Sequence, residues 1–169
     1  MKRQYVKKIS NWGNFPVVEK EIRSGDSLDF IRDYIASHNE LIARGNGRSY
    51  GDASLGENIF STEKLNKFIS FDRLNGILEC ESGVLLADIL ELIVPQGYFL
   101  AVTPGTKFVS LGGAIAADVH GKNHHMDGCF SEFVLEFSLM NELGEALICS
   151  RTQNSELFWA TIGGMGLTG

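Results

Sequence analysis

The chain has 169 residues, 44% of them hydrophobic and 21% charged, with a formal net charge of −6 at pH 7. This balance suits one globular domain, or two small lobes on a shared core, and lies outside the range of disordered chains. The acidic charge, with no Lys/Arg stripe, argues against nucleic acid as the main partner; no apolar run of about 18 residues is present to span a membrane.

Residues 17–51 read as a β-α-β unit. Residues 17–20 form a weak strand, and 27–38 place Leu28, Ile31 and Ile35 at helical spacing with Phe30 and Tyr34 alongside. Ser24 or Asp26 is the expected cap. The apolar stretch 41–43 then runs into Arg44-Gly45-Asn46-Gly47-Arg48-Ser49-Tyr50-Gly51-Asp52. A loop at the end of such a strand is a common ligand position in α/β folds. Short strands are predicted at 59–61, 68–71 and 77–80, and a helix over 85–94 that stops at Pro95. Residues 133–140 and 146–150 read as a hairpin turning at 141–144. Strands interspersed with isolated helices predict an α+β class. The chain closes on a glycine-rich run, 163–169, which leads to the expectation of a fragment truncated at its C-terminus.

Glycine numbers 19, well above the usual share of about 7%, and it clusters. The second cluster belongs to PGTKFVSLGGAIAADVHGKNHH, residues 104–125, where Gly105, Thr106, Gly112, Gly113 and Ala116 offer close backbone approach and His120, Gly121, Lys122, His124 and His125 follow. Small residues backed by titratable side chains suit a phosphate-bearing cofactor with a reactive ring better than a packed core. In the first cluster, successive backbone N–H groups form a nest for anionic oxygens, with Arg44 and Arg48 adding charge-assisted hydrogen bonds. An ordinary surface turn with solvated arginines is the alternative.

Three other motifs are set aside. Gly164, Gly166 and Gly169 match a dinucleotide fingerprint, but no helix follows to hold a pyrophosphate. His120, His124 and His125 with Asp118, Asp127 or Cys129 offer metal-ligand types, yet the H-x-x-x-H-H spacing matches no metal signature, and no metal is expected. No nucleophile elbow or Walker string is present. Cys80, Cys129 and Cys149 lack CxxC spacing and fit reduced thiols. The basic opening leads into no apolar stretch, so it is not read as a secretory signal, and a cytoplasmic location is expected.

On ARGNGRSYGD (43–52), PGT (104–106), GGAIA (112–116), DVHGKNHH (118–125) and ELFWATIGGMGLTG (156–169), the chain resembles the vanillyl-alcohol-oxidase-type FAD-binding domain, and within it the decaprenylphosphoryl-β-D-ribose 2′-oxidase group. The resemblance implies a two-lobed domain: residues 1–12 as a lead, 13–62 as the first α/β lobe and 63–169 as an incomplete second α+β lobe, with the substrate domain absent. It implies FAD held by Arg44, Gly45, Asn46, Gly47, Arg48, Ser49, Tyr50, Gly105, Thr106, Gly112, Gly113, Ala116, His120 and Gly121. His120, Lys122 and Tyr50 would serve catalysis. Many relatives link the flavin covalently through a histidine where this chain has Arg48, so non-covalent FAD is expected.

The implied activity is oxidation of a sugar hydroxyl, of the polyprenyl-phosphate ribose 2′-epimerisation type, by hydride transfer to flavin N5. An aldonolactone or alcohol oxidase is the runner-up. A non-catalytic fragment that needs further residues or a partner chain is the third reading. A lipid-linked substrate would allow peripheral contact with a membrane, and open sheet edges would invite self-association.

Overall fold

The computed structural model describes residues 6–169; residues 1–5, the start of the 1–12 lead, lie outside the described residues. Four strands, β1 (Val6–Ile9), β2 (Val18–Ser24), β3 (Ile42–Arg44) and β4 (Ile59–Ser61), form the first sheet in the order β1-β2-β4-β3. β1 pairs antiparallel with β2, while β4 lies between β2 and β3 and is parallel to both. β4 is buried along its whole length, as a parallel strand between two neighbours must be.

Helix α1 (Leu28–Ala36) connects β2 to β3. Its cap is Ser27, whose hydroxyl accepts the Phe30 N–H at 3.2 Å, rather than Ser24 or Asp26. Ser24 is still paired within β2, opposite Ser61, and cannot leave the ladder to cap a helix. Ile31 is the buried residue of α1, and Tyr34 packs its ring 5.7 Å from that of Phe60 on β4. The helix thus covers the sheet through aromatic contacts.

The second lobe is built around two antiparallel hairpins, β5 (Phe68–Asp72) with β6 (Ile77–Cys80) and β7 (Glu136–Met140) with β8 (Ala146–Ser150). Asp72 and Asn141 shape the two turns by accepting backbone N–H groups: Leu74 and Asn75 on Asp72, Leu143 and Glu145 on Asn141. Helix α2 (Leu86–Ile93) presents Leu86, Ala87, Ile89 and Ile93 to the core, then passes into a 3-10 turn containing Pro95. That core gathers Val84, Val102, Ala114, Phe130, Val134, Leu139, Cys149 and Phe158. Phe158 belongs to α5 (Ser155–Thr161), is fully buried, and stacks on Phe137 at 5.2 Å.

One segment departs from expectation. Residues 111–116, read as part of a glycine-rich loop, form helix α3 (Leu111–Ala116), and a single turn, α4 (His124–Asp127), follows. Ser110 begins α3, its carbonyl accepting the Ala114 N–H at 2.8 Å, and Ala114 is fully buried. The small residues let this helix sit against Ser82, whose carbonyl accepts the Gly112 N–H at 2.8 Å. No helix among the described residues is long and apolar enough to cross a membrane.

Candidate functional site

β3 ends at Arg44, and the first glycine loop begins there, at the C-terminal edge of the sheet. Arg44 does not point into solvent. It is only 9% exposed, and its guanidinium donates to Asn11 Oδ1 at 2.5 Å, to Ser54 Oγ at 3.0 Å and to the Ser10 carbonyl at 2.8 Å. Asn11, itself buried, returns its amide to the carbonyls of Gly51 and Ala53. The loop is therefore folded around an internal cation. Burial holds the Arg44 pKa below its ordinary value, Glu63 opposes that effect through space and the Arg48 charge adds to it.

Two glycines in this loop are required by contact and backbone. Gly45 lies so close to Ser110 that a Cβ there would come within 3.1 Å of the Ser110 Cβ. Gly47 has φ +60°, and a Cβ would lie 2.9 Å from Cζ of Arg44. Asn46 donates its side-chain amide to the Phe108 carbonyl at 2.8 Å. Gly45 and Asn46 thus join the first glycine segment to the second, 62 residues further along the chain.

The N-terminal segment forms the other wall. The Trp12 N–H donates to the Ser49 carbonyl at 3.0 Å, and the Arg48 guanidinium lies 5.6 Å from the centre of the Trp12 ring. Between this segment and the loop is a cleft of about 440 Å³, lined by Ser10, Asn11, Trp12, Asn14, Arg44, Asn46, Gly47 and Arg48. Asn11 and Trp12 were not among the residues expected at the site. Nothing in local spacing pairs position 11 with position 44; only the sheet, which starts with β1, brings them together. Tyr50 is 77% exposed.

In the second segment, Thr106 Oγ1 accepts the Phe108 N–H at 3.3 Å and so shapes the approach to Asn46. Gly105 is exposed, with no atom within 4 Å of where a Cβ would stand. Gly112 and Gly113 lie in α3, and the Ala116 carbonyl accepts the Met165 N–H at 2.8 Å. Gly121 is buried, and Asn123 ties its turn to the Ala101 carbonyl at 2.9 Å. The exposed His120 meets His124 edge to face at 5.3 Å between ring centres. His124 Nδ1 in turn lies 3.1 Å from the Gly121 carbonyl, a contact that requires a proton on that nitrogen. Lys122 is exposed and makes no ion pair among the described residues.

His120, His124 and His125 form a chain of ring contacts, with 5.9 Å between the last two. The nearby carboxylates serve other bonds: Asp118 accepts the Ser131 N–H at 3.0 Å, and Asp127 accepts from Asn123 at 2.7 Å. Among the described residues no group of three or more His, Cys, Asp or Glu is arranged to hold a metal ion.

Comparison with known proteins extends this description. A family model described as an FAD binding domain matches residues 24–150. Decaprenylphosphoryl-beta-D-ribose oxidase of Mycolicibacterium smegmatis is 36% identical over 96% of this chain and 37% of its own length. L-gulonolactone oxidase of Scyliorhinus torazame is 28% identical over 94% of this chain and 38% of its own length. The chain therefore spans little more than a third of either relative. A crystal structure of 6-hydroxy-D-nicotine oxidase from Arthrobacter nicotinovorans superposes with a TM-score of 0.73 at 23% identity, covering 84% of this chain and 32% of that one, which shows a shared fold.

Proposed function

The chain belongs to the FAD binding domain family, and from that premise we propose that it is the N-terminal part of an FAD-dependent oxidoreductase acting on a hydroxyl of a lipid-linked sugar, of the polyprenyl-phosphate ribose type. FAD is the family's cofactor, and the two-lobed α+β architecture is of the vanillyl-alcohol-oxidase type. The observation that carries the reading is the junction of two glycine-rich segments at Gly45–Ser110 and Asn46–Phe108. A dinucleotide long enough to touch both loops is the kind of ligand such a junction serves.

The residues fit the group. Gly105 leaves open space where any other residue would place a side chain, and the first loop offers backbone N–H groups beside Arg48 with no carboxylate in the adjoining cleft. We assign Gly45, Asn46, Gly47, Arg48, Ser49 and Tyr50 to the diphosphate, and Gly105, Thr106, Gly112, Gly113 and Ala116 to the next portion of the cofactor. His120 and Gly121 are assigned to the isoalloxazine end, with Lys122 and Tyr50 on the substrate side. Arg44 supports this set from within, since its three hydrogen bonds are internal. We assign the two lobes to 13–62 and 63–169, with β1 (Val6–Ile9), from the 1–12 lead, pairing onto the sheet of the first.

Bound FAD supplies a hydride acceptor for oxidising an alcohol carbon to a carbonyl. The chain's own residues manage the accompanying proton and charge. His120 takes the hydroxyl proton as a general base. The His124 ring edge and its bond to the Gly121 carbonyl steady His120. The exposed Lys122 ammonium balances negative charge on the substrate. Changing His120→Ala in the complete protein should lower the rate of flavin reduction by about a hundredfold, the usual scale of general-base loss. An unchanged rate would remove His120 from the chemistry.

The cofactor assignment is tested by the visible spectrum of the chain with FAD, before and after acid precipitation. Flavin bands that follow the protein and then pass into the acid supernatant are expected, since Arg48 offers no covalent link. A chain that stays colourless would overturn FAD binding by these residues alone. A second reading, an aldonolactone oxidase, is favoured by the L-gulonolactone oxidase alignment along 94% of this chain. Assay of the complete protein on polyprenyl-phosphate ribose and on an aldonolactone separates the two. Among the described residues the two-stranded sheets also leave strand edges unpaired, and self-association through them would appear as a concentration-dependent mass in sedimentation.

A further inference from the structure

We propose that Asp118 is a positioning residue that sets where His120 stands, by fastening the end of helix α3 to the 3-10 turn Phe130–Phe133. This rests on the reading of His120 above and deepens it, since it names the group that aims that imidazole.

The end of α3 is the first support. The Asp118 N–H donates to the Ile115 carbonyl at 3.0 Å, and the Val119 N–H donates to the Ala114 carbonyl at 3.1 Å. Two bonds in this pattern close a helix through a residue in the left-handed conformation, which is usually glycine. Asp118 holds that position with φ +40°. The segment 104–125 has glycine at 105, 112, 113 and 121, yet here it has a carboxylate. Aspartate enters this conformation more readily than most residues, but glycine enters it with no Cβ to clash. The side chain therefore does something that glycine would not.

Its partner is the second support. Asp118 Oδ1 accepts the Ser131 N–H at 3.0 Å, and the neighbouring Val119 carbonyl accepts the Phe130 N–H at 2.9 Å. Phe130 and Ser131 are both buried, where an N–H without an acceptor is costly. Two consecutive acceptors thus meet two consecutive donors, and the chain is fixed up to the residue before His120. The glycine run 163–169 packs on the same helix end. Gly163 donates its N–H to the Ile115 carbonyl at 3.4 Å, and Met165 donates to the Ala116 carbonyl at 2.8 Å.

The setting of His120 is the third support. This residue is exposed, so packing does not aim its ring. On its downstream side Gly121 is buried, and a Cβ there would lie 2.8 Å from the Thr103 carbonyl. The imidazole thus stands between two anchors, one made by close backbone approach and the other by the Asp118 side chain. A shift of the backbone at 118–119 is carried to His120. Misplacing a reacting group by roughly 1 Å can cost about a hundredfold in rate.

The test compares Asp118→Gly with Asp118→Asn. Glycine keeps the left-handed turn and removes the acceptor, so the helix end still closes. Asparagine keeps both a tolerated conformation and a side-chain oxygen. The first readout needs no cofactor: NMR of the His120 ring in the chain, with its cross-peaks to the His124 ring. Asp118→Gly should shift the His120 signals and weaken those cross-peaks, and Asp118→Asn should restore them. The second readout is the rate of flavin reduction at saturating substrate in the complete protein, with bound FAD followed by its absorbance. Asp118→Gly should lower that rate about tenfold while FAD stays bound, within the hundredfold that misplacement can cost; Asp118→Asn should recover it. Unmoved His120 signals in Asp118→Gly would overturn the proposal. So would an undiminished rate in Asp118→Gly where His120→Ala is slow, or a failure of Asp118→Asn to rescue. If His120→Ala itself leaves the rate unchanged, the reading of His120 fails, and the ring signals still decide whether Asp118 places it.

Discussion

The two glycine-rich segments have similar compositions and different physics. The first, at residues 44–51, remains an irregular loop, organised by a buried cation that holds Asn11, Ser10 and Ser54 around it. The second, beginning at 104, turns into helix α3 after seven residues of irregular chain and is held by backbone bonds to 82–87. Glycine in the first segment answers the demands of the protein's own contacts. In the second, at Gly105, it answers none that the chain itself makes. The difference teaches that glycine enrichment alone does not tell a structural loop from a ligand-facing one; the atoms around each missing side chain do.

The largest effect expected from breaking this contrast is at Arg44. Arg44→Ala removes three hydrogen bonds, leaving the Ser10 carbonyl without its donor and the buried Asn11 Oδ1 with only the longer bond from Ser54. A loss of about 3 kcal/mol is expected, from the usual cost of unsatisfied buried polar groups. Urea denaturation measures it. A loss under about 0.5 kcal/mol, the scale of an ordinary surface substitution, would return Arg44 to the solvated-turn reading.

Next in size is Gly47→Ala. Its φ of +60° and the guanidinium beside the missing Cβ both oppose a side chain. The left-handed conformation alone costs roughly 1–2 kcal/mol for a residue with a Cβ. A drop of that order in unfolding free energy is expected, along with a shift in the Arg44 side-chain NMR signals. An unchanged protein would mean the loop can adopt another conformation, and the internal cation would no longer define it.

Which parts were legible in sequence follows the same division. Helical periodicity located α1 and α2, and Pro95 marked the stop of the second within a residue or two. Asn141 and Gly144 announced the β7–β8 turn because their chemistry is local. Long-range pairings were not legible. The bond from Arg44 to Asn11 joins residues 33 positions apart, and no periodicity encodes it. Helix α3 was missed for another reason: Gly112 and Gly113 lower helix propensity, but the bonds from Gly112 to Ser82 and from Leu111 to Val84 fix the backbone regardless. Ser27 as cap was hidden by two equally good candidates just upstream, and only the extent of β2 decides among them. For the site, residue types and order pointed to the two loops, whereas the cleft behind the first loop depended on an N-terminal segment with no signal of its own.

The smallest stability change belongs to Gly105→Ala, and it sharpens the comparison most. Beyond its two chain neighbours, this glycine has no atom of the described residues within 4 Å of a would-be Cβ, and its φ lies outside the left-handed region. Alanine there restricts the unfolded chain without straining the folded one, so stability should be unchanged or higher by about 0.4–1 kcal/mol. If the open space belongs to the cofactor, the same methyl group should weaken FAD binding measurably, read as a higher dissociation constant in a flavin fluorescence titration. Gly47→Ala would then lose stability, while Gly105→Ala would lose affinity alone. Should Gly105→Ala leave affinity untouched as well, the close approach assigned to Gly105 fails, and the contact between the second segment and the cofactor would have to begin at Thr106 or beyond.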